Sequence, residues 1–214
     1  MSEISTPATT EYFRYLAAHT LPEDGFLQKL KAEARSGGIP PIWIAPEQGS
    51  FMQLILKIAH AQEVIEIGTL AGYSAIWMAR GLPANGHVRT IEMSSMHADF
   101  AERWISRSDV SEKIKVFRGA GKDILPDFAA DSADAAFIDA EKSDYPLLLR
   151  ECLRIVRGGG LIMADNAFGF GQLFAPDHEG ASAIRTFNEI MAKEPALQGI
   201  IVPIGDGLWI AQKK

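Results

Sequence analysis

An α/β domain built on a mostly parallel sheet, with helices on both faces, is what this 214-residue sequence predicts. Three observations carry that expectation. Short β-branched runs alternate with longer segments whose apolar residues recur at three- and four-residue steps. The first five runs are separated by such helical segments, as βαβ crossovers require. The last two are joined by little more than Gly205–Asp206–Gly207, a hairpin connection that puts an antiparallel strand at one edge of a seven-stranded sheet.

In chain order, helical stretches "EYFRYLAAHT", "EDGFLQKLKAEARS" and "PEQGSFMQLILKIAHA" come first, with the Gly- and Pro-rich "GGIPPIWIAP" (37–46) reading as a loop between the second and third. The strands follow as "EVIEI" (63–67), "VRTIE" (88–92), "KIKVF" (113–117), "DAAFI" (134–138), "GLIMA" (160–164), "GIIVPI" (199–204) and "LWIAQ" (208–212). Helices over 73–82, 96–107 and 145–156 lie between them. The length suits one domain: N-terminal helices and a covering loop over 1–60, and a sheet core over 61–214.

Composition narrows the function. A net charge of −6 with no basic run argues against a nucleic-acid partner. No stretch is long and apolar enough to read as membrane-spanning, and "MSEISTPATTEYF" carries no secretory pattern, so a cytoplasmic protein is expected. The single Cys152 reads as a small core hydrophobe rather than a catalytic thiol. The five histidines, at 19, 60, 87, 97 and 178, show no metal-ligand spacing.

In an open parallel sheet, ligands bind beyond the carboxyl ends of the strands. Those ends read "EIGTLAGYS", "EMSS", "RGAGKD", "DAEK" and "DNAFGFG", every one polar or glycine-rich. Gly68 and Gly72 permit a tight turn and close approach of a ligand to a helix N-terminus. Glu92, ending the second strand, is placed to accept two ribose hydroxyls. A dinucleotide would want Gly-x-Gly-x-x-Gly. The spacing here is Gly-x-x-x-Gly, and Glu66 would repel a pyrophosphate. A ligand with an ammonium and a ribose but no phosphate suits these acids better, and S-adenosylmethionine is such a molecule.

Beside that pocket, "FIDAEKSDYP" crowds Asp139, Glu141, Lys142 and Asp144 into six positions. Asp165 and Asn166 end the next strand, so two carboxylates and an amide oxygen converge on one point of the rim. Asp and Asn often merely cap turns. As a set with a nucleoside pocket alongside, these hard oxygen donors favour Mg²⁺, or Ca²⁺ or Mn²⁺, over zinc. A cation there would disfavour the charged form of Lys142 and make it a usable base. Glu141 and Asp144 read as solvent-facing charge.

With those motifs in order, together with "GAGKDILP", "GGGLIMADN" and the terminal "GDGLWIA", the chain resembles the cation-dependent class I O-methyltransferases, the group of catechol and caffeoyl-coenzyme A O-methyltransferases. The resemblance runs from "APEQGSFMQLILK" to the end. It implies a Rossmann-like class I methyltransferase fold. It also implies Asp139, Asp165 and Asn166 as metal ligands and Lys142 as general base. Glu66, Gly68, Ser74, Glu92, Met93, Ala120 and Asp139 correspond to donor contacts, and Ile44 would cover the donor from the N-terminal loop. A vicinal dihydroxy aromatic, a phenolic small molecule, is the implied acceptor, and a homodimer the implied assembly. The segment after Asn166 departs from the family's usual loop, so Phe168 and Phe170 line an acceptor pocket or simply pack. A metal-independent methyltransferase, or a non-catalytic protein that binds the donor, are the competing readings.

Overall fold

The computed structural model describes residue 6 and residues 9–175 and 179–214. Most of the segment read for a leader, and His178, lie outside the described residues. Three helices open the chain: α1 (Thr10–His19), α2 (Gly25–Ser36) and α3 (Pro46–Ile58). Asp24 caps α2 by accepting the Leu27 N–H at 2.9 Å, and α3 starts on Pro46, whose missing N–H costs nothing at that position.

The sheet alternates with the remaining helices: β1 (Glu63–Ile67), α4 (Tyr73–Gly81), β2 (His87–Glu92), α5 (Ser95–Ile105), β3 (Ile114–Arg118), α6 (Gly121–Ile124), β4 (Ala133–Ile138), α7 (Tyr145–Ile155), β5 (Val156–Ala164), α8 (Glu179–Lys193), β6 (Leu197–Val202) and β7 (Leu208–Lys213). The expected strands and helices fall within a few residues of these bounds. Two elements are additional: the one-turn α6, and α8, which was not anticipated although Ala181, Ile184, Phe187 and Met191 repeat at helical steps and are buried.

Strand order is β3-β2-β1-β4-β5-β7-β6, with β7 antiparallel to both β5 and β6. The seven-stranded sheet therefore has its antiparallel pairing at the expected edge, with β7 seated between β5 and β6. Alternation along the strands splits the core. Val64, Val88, Phe137 and Met163 face the layer of α2 to α5. Ile65, Ile91, Ile138 and Ile162 face α7 and α8. Cys152 lies in this second layer, and burial pushes its thiol up to about 12, so it is the inert core residue expected.

Sheet order reverses between β1 and β4, which makes their carboxyl ends the topological switch point. Backbone pairing continues one residue past the strands there. The Asp139 N–H donates to Ile67 O at 2.9 Å, the Asp165 N–H to Ile138 O at 3.0 Å, and the Gly68 N–H to Ile91 O at 3.0 Å. Gly68, Asp139 and Asp165 thus sit side by side on the rim. Gly68 holds φ +106°, and a Cβ added to it would collide with the Asp139 carbonyl. Gly68→Ala is expected to lower stability by at least ~1–3 kcal/mol, measured by chemical denaturation. Wild-type stability in that variant would contradict the packing.

Candidate active site

Two cavities meet at the rim. The larger, about 430 Å³, is lined by Gly68, Leu70, Glu92, Met93, Ala120 and Asp139 among others, with Lys142 and Phe170 at its other side. The smaller, about 340 Å³, is lined by Ile44, Gln48, Asp165, Asn166, Phe170 and Asp206, with further residues of the 41–46 loop. Ile42 and Phe170 are common to both and stand between them.

In the larger cavity the β2 acid is held firmly. Glu92 takes the Leu70 N–H on one oxygen and the Ser94 N–H on the other, each at 2.8 Å, and is 8% exposed. Both bonds fix the carboxylate plane while leaving further lone pairs toward the cavity. Met93 beside it is largely exposed. His97, to which the sequence assigned nothing, lines the same wall, its Nδ1 3.6 Å from Glu92.

Glu66 stands elsewhere. It is fully buried beneath the β1 turn and accepts a hydrogen bond from the Ser74 hydroxyl, while its Oε2 has no partner. Neither Glu66 nor Ser74 is among the residues that wall the cavity. Desolvation, with the nearby Asp139 and Glu92 charges adding to it, pushes the Glu66 carboxyl from 4.5 to about 8. Ile44 likewise differs from expectation: it is 3% exposed, packed in the core and facing the smaller cavity. Ile42, two residues earlier and 55% exposed, is the loop residue over the larger one. A loop has no period from which this two-residue offset could be read.

Asp139, on the wall of the larger cavity, and Asp165 and Asn166, on the wall of the smaller, follow the adjacent strands β4 and β5. Gln48 of α3, 1% exposed, donates its amide to Asp165 Oδ1 at 2.8 Å. Burial, then the Asp139 charge, raises the Asp165 carboxyl above the usual carboxylate range. Asn166 adopts φ +62°, a conformation asparagine tolerates better than most residues. Its Nδ2 donates to Asp206 Oδ2 at 3.1 Å, leaving Oδ1 buried without a partner. Among the described residues no cluster of three or more His, Cys, Asp or Glu occurs. These two strand ends offer two carboxylates and one amide oxygen without a partner.

Lys142 Nζ lies 3.2 Å from Asp139 Oδ1 and 2.8 Å from the Tyr145 hydroxyl. Tyr145 is itself buried, with its oxygen 3.3 Å from Ile138 O and 3.4 Å from Asp165 O. It fixes the lysine from below, a role hidden in the sequence because its position reads as one more apolar residue of α7. The ammonium also stands 5.7 Å from the Phe170 ring centroid, and Glu141 joins the wall of the larger cavity. The loop carrying Phe170 is tied to α8: Asn188 donates to Ala167 O at 2.9 Å and accepts from Trp209 Nε1 at 2.7 Å.

A doubly wound sheet with an acid-walled pocket at its switch point, and oxygen donors on the adjoining strand ends, defines a class of nucleoside-binding α/β enzymes. Sequence comparison narrows that class. The profile of the O-methyltransferase family matches residues 11–214. A catechol O-methyltransferase of Niastella koreensis is 36% identical over 188 residues, covering 84% of each chain. One from Mycobacterium tuberculosis is 32% identical over 189 residues, covering 88% of this chain and 86% of that one. An O-methyltransferase from Bacillus cereus, solved in complex with SAH, superposes with a TM-score of 0.87 at 32% identity, covering 96% of this chain and 98% of that one. The chain belongs to the O-methyltransferase family.

Glu66 carries a pH signature. Because its folded pKa lies above its ordinary value, its contribution to stability is present below about pH 4.5 and lost as pH rises toward about 8. Urea unfolding of the wild type and of Glu66→Gln across that window should show the variant losing less stability. Parallel pH profiles would exclude a protonated, buried Glu66.

Proposed function

We propose that this chain transfers a methyl group from S-adenosylmethionine to one hydroxyl of a vicinal dihydroxy aromatic, with a divalent cation held by Asp139, Asp165 and Asn166. The observation that carries the reading is Asp139 on the wall of the larger cavity, with Asp165 ending the adjoining strand and the Asn166 Oδ1 buried without a partner. The Bacillus cereus relative is described with SAH, and the Streptomyces achromogenes O-methyltransferase TomG, 29% identical with a TM-score of 0.83, with SAM. The two similar proteins named above are catechol O-methyltransferases.

The donor set fits the cation. Two carboxylates and an amide oxygen, with no sulfur or imidazole, are the hard ligands Mg²⁺ takes, and Ca²⁺ or Mn²⁺ would also accept them. An acceptor oxygen of Asn166 that is buried and unpaired is a cost the apoprotein bears, and coordination would remove it. Bound there, the cation supplies Lewis acidity toward the acceptor oxygens and a template for their orientation.

The chain's own groups supply the rest. Glu92 meets the ribose hydroxyls, while Met93, Ala120 and Ile42 shield the adenosine from water. Ser74 and Glu66 stiffen the β1 turn from beneath, so that Gly68 presents its backbone to the donor's amino-acid end. Lys142, aimed by Tyr145 and Asp139, takes the proton of the reacting hydroxyl. Phe170 and the 41–46 loop close around the aromatic ring, and holding the two substrates in line supplies much of the acceleration.

The reading extends to a homodimer in the cytoplasm. Its support is α1, which buries no residue and leaves Tyr12, Tyr15 and Leu16 exposed. Among the described residues no helix is long and apolar enough to cross a membrane.

Formation of S-adenosylhomocysteine against a panel of vicinal diphenols, with Mg²⁺ and with chelator, tests the reaction. Chelation should abolish turnover, and Lys142→Ala should lower kcat by about 10²–10⁴-fold while leaving donor affinity near that of the wild type. Turnover indifferent to chelator would leave a metal-independent methyltransferase.

A further inference from the structure

Asp206 lies in the turn between β6 and β7, far in sequence from any residue of the rim, yet its side chain reaches the rim. One carboxylate oxygen, Oδ2, accepts two hydrogen bonds: from Asn166 Nδ2 at 3.1 Å and from the Phe170 backbone N–H at 2.7 Å. The turn is locked against the same segment by the backbone. The Ala167 N–H donates to Gly207 O and the Phe168 N–H to Asp206 O, both at 2.9 Å.

Each of those two side-chain bonds settles something that Asn166 and Phe170 cannot settle alone. An asparagine amide has a donor end and an acceptor end of nearly the same shape. An anion that offers no hydrogen accepts only from the nitrogen, so Asp206 forces the nitrogen toward itself and the oxygen away. The oxygen so released is the buried Oδ1 without a partner. Phe170, for its part, holds φ +56°, a backbone conformation a bulky residue avoids. The residue is 57% exposed. The charge-assisted bond to its N–H is the restraint.

We propose that Asp206 is a positioning residue for the reaction, acting through Asn166 and Phe170. It selects the amide oxygen as the atom presented to the cation, and it sets a ring that stands between the two cavities. The inference rests on the cation site proposed above and adds to it a group on the wall of the smaller cavity that acts through its neighbours. A carboxylate behind a liganding side chain typically carries 10–100-fold in metal affinity.

The test measures Mn²⁺ affinity directly, by electron paramagnetic resonance of the free ion, in the wild type, Asp206→Ala and Asp206→Asn. S-adenosylhomocysteine affinity and thermal stability are read alongside. Asp206→Ala should weaken Mn²⁺ binding by roughly 10–100-fold, with the folded chain still taking up S-adenosylhomocysteine. Asp206→Asn keeps an acceptor oxygen and should recover much of the loss.

The same Ala substitution made in an Asn166→Asp background separates orientation from general support. A carboxylate presents an oxygen whichever way it turns, so there the loss at 206 should shrink to within a few-fold. Equal Mn²⁺ affinity in wild type and Asp206→Ala overturns the proposal alone. An equal loss in both backgrounds overturns it too, by making Asp206 merely structural. A wild-type chain that takes up no Mn²⁺ overturns the cation site and the proposal together.

Discussion

The register of β1, β4 and β5 is the constraint on which the site depends. Ile67 pairs with Ile138, and Ile138 with Ala164, so the next residue of each strand arrives at the rim at the same height. Bonds from the Asp139 and Asp165 N–H groups to the preceding strand's carbonyls extend that register into the loops. A slip of one residue would turn Asp139 and Asp165 to the opposite faces of the sheet and bury charge in the core. The apolar alternation that builds two cores therefore also aligns two acids.

Aligning acids has an electrostatic cost. Asp165 feels Asp139, and Glu66 feels Asp139 and Glu92, all in a part of the molecule from which water is largely withdrawn. Only Lys142 is ion-paired with any of them from close range among the described residues, apart from the more distant His97. With Glu92 and Asp139 on its wall, the larger cavity is unsuited to an anionic ligand and favourable to cations. That property suits a sulfonium nucleoside, and it would also suit the cation proposed above.

Much of this was readable from the residues because the relevant signals are periodic or terminal. "EVIEI" is a five-residue run, β-branched apart from two glutamates, closed by glycine, and β1 spans those five residues. Once the strands are taken as parallel, residues that follow them must share one edge, which brings Asp139 to Asp165 and Asn166. What escaped was the contribution of segments with no period. The 41–46 loop turns Ile44 inward and Ile42 outward. Gln48 reaches Asp165 across 117 positions of sequence, and Asp206 reaches Asn166 across 40. Such pairings come from packing of whole layers, and a short motif carries no trace of them. The helix α8 is the opposite case, since its buried positions do repeat.

The seating of β7 between β5 and β6 bears on how the molecule is made. During translation β4 and β5 leave the ribosome well before their antiparallel neighbour, so the outer margin of β5 waits with unsatisfied peptide groups. The intervening β6 cannot relieve it, because β6 docks on β7 rather than on β5. Closure of the sheet and delivery of the Asp206 turn are consequently one late event. The catalytic rim is complete only with that hairpin in place.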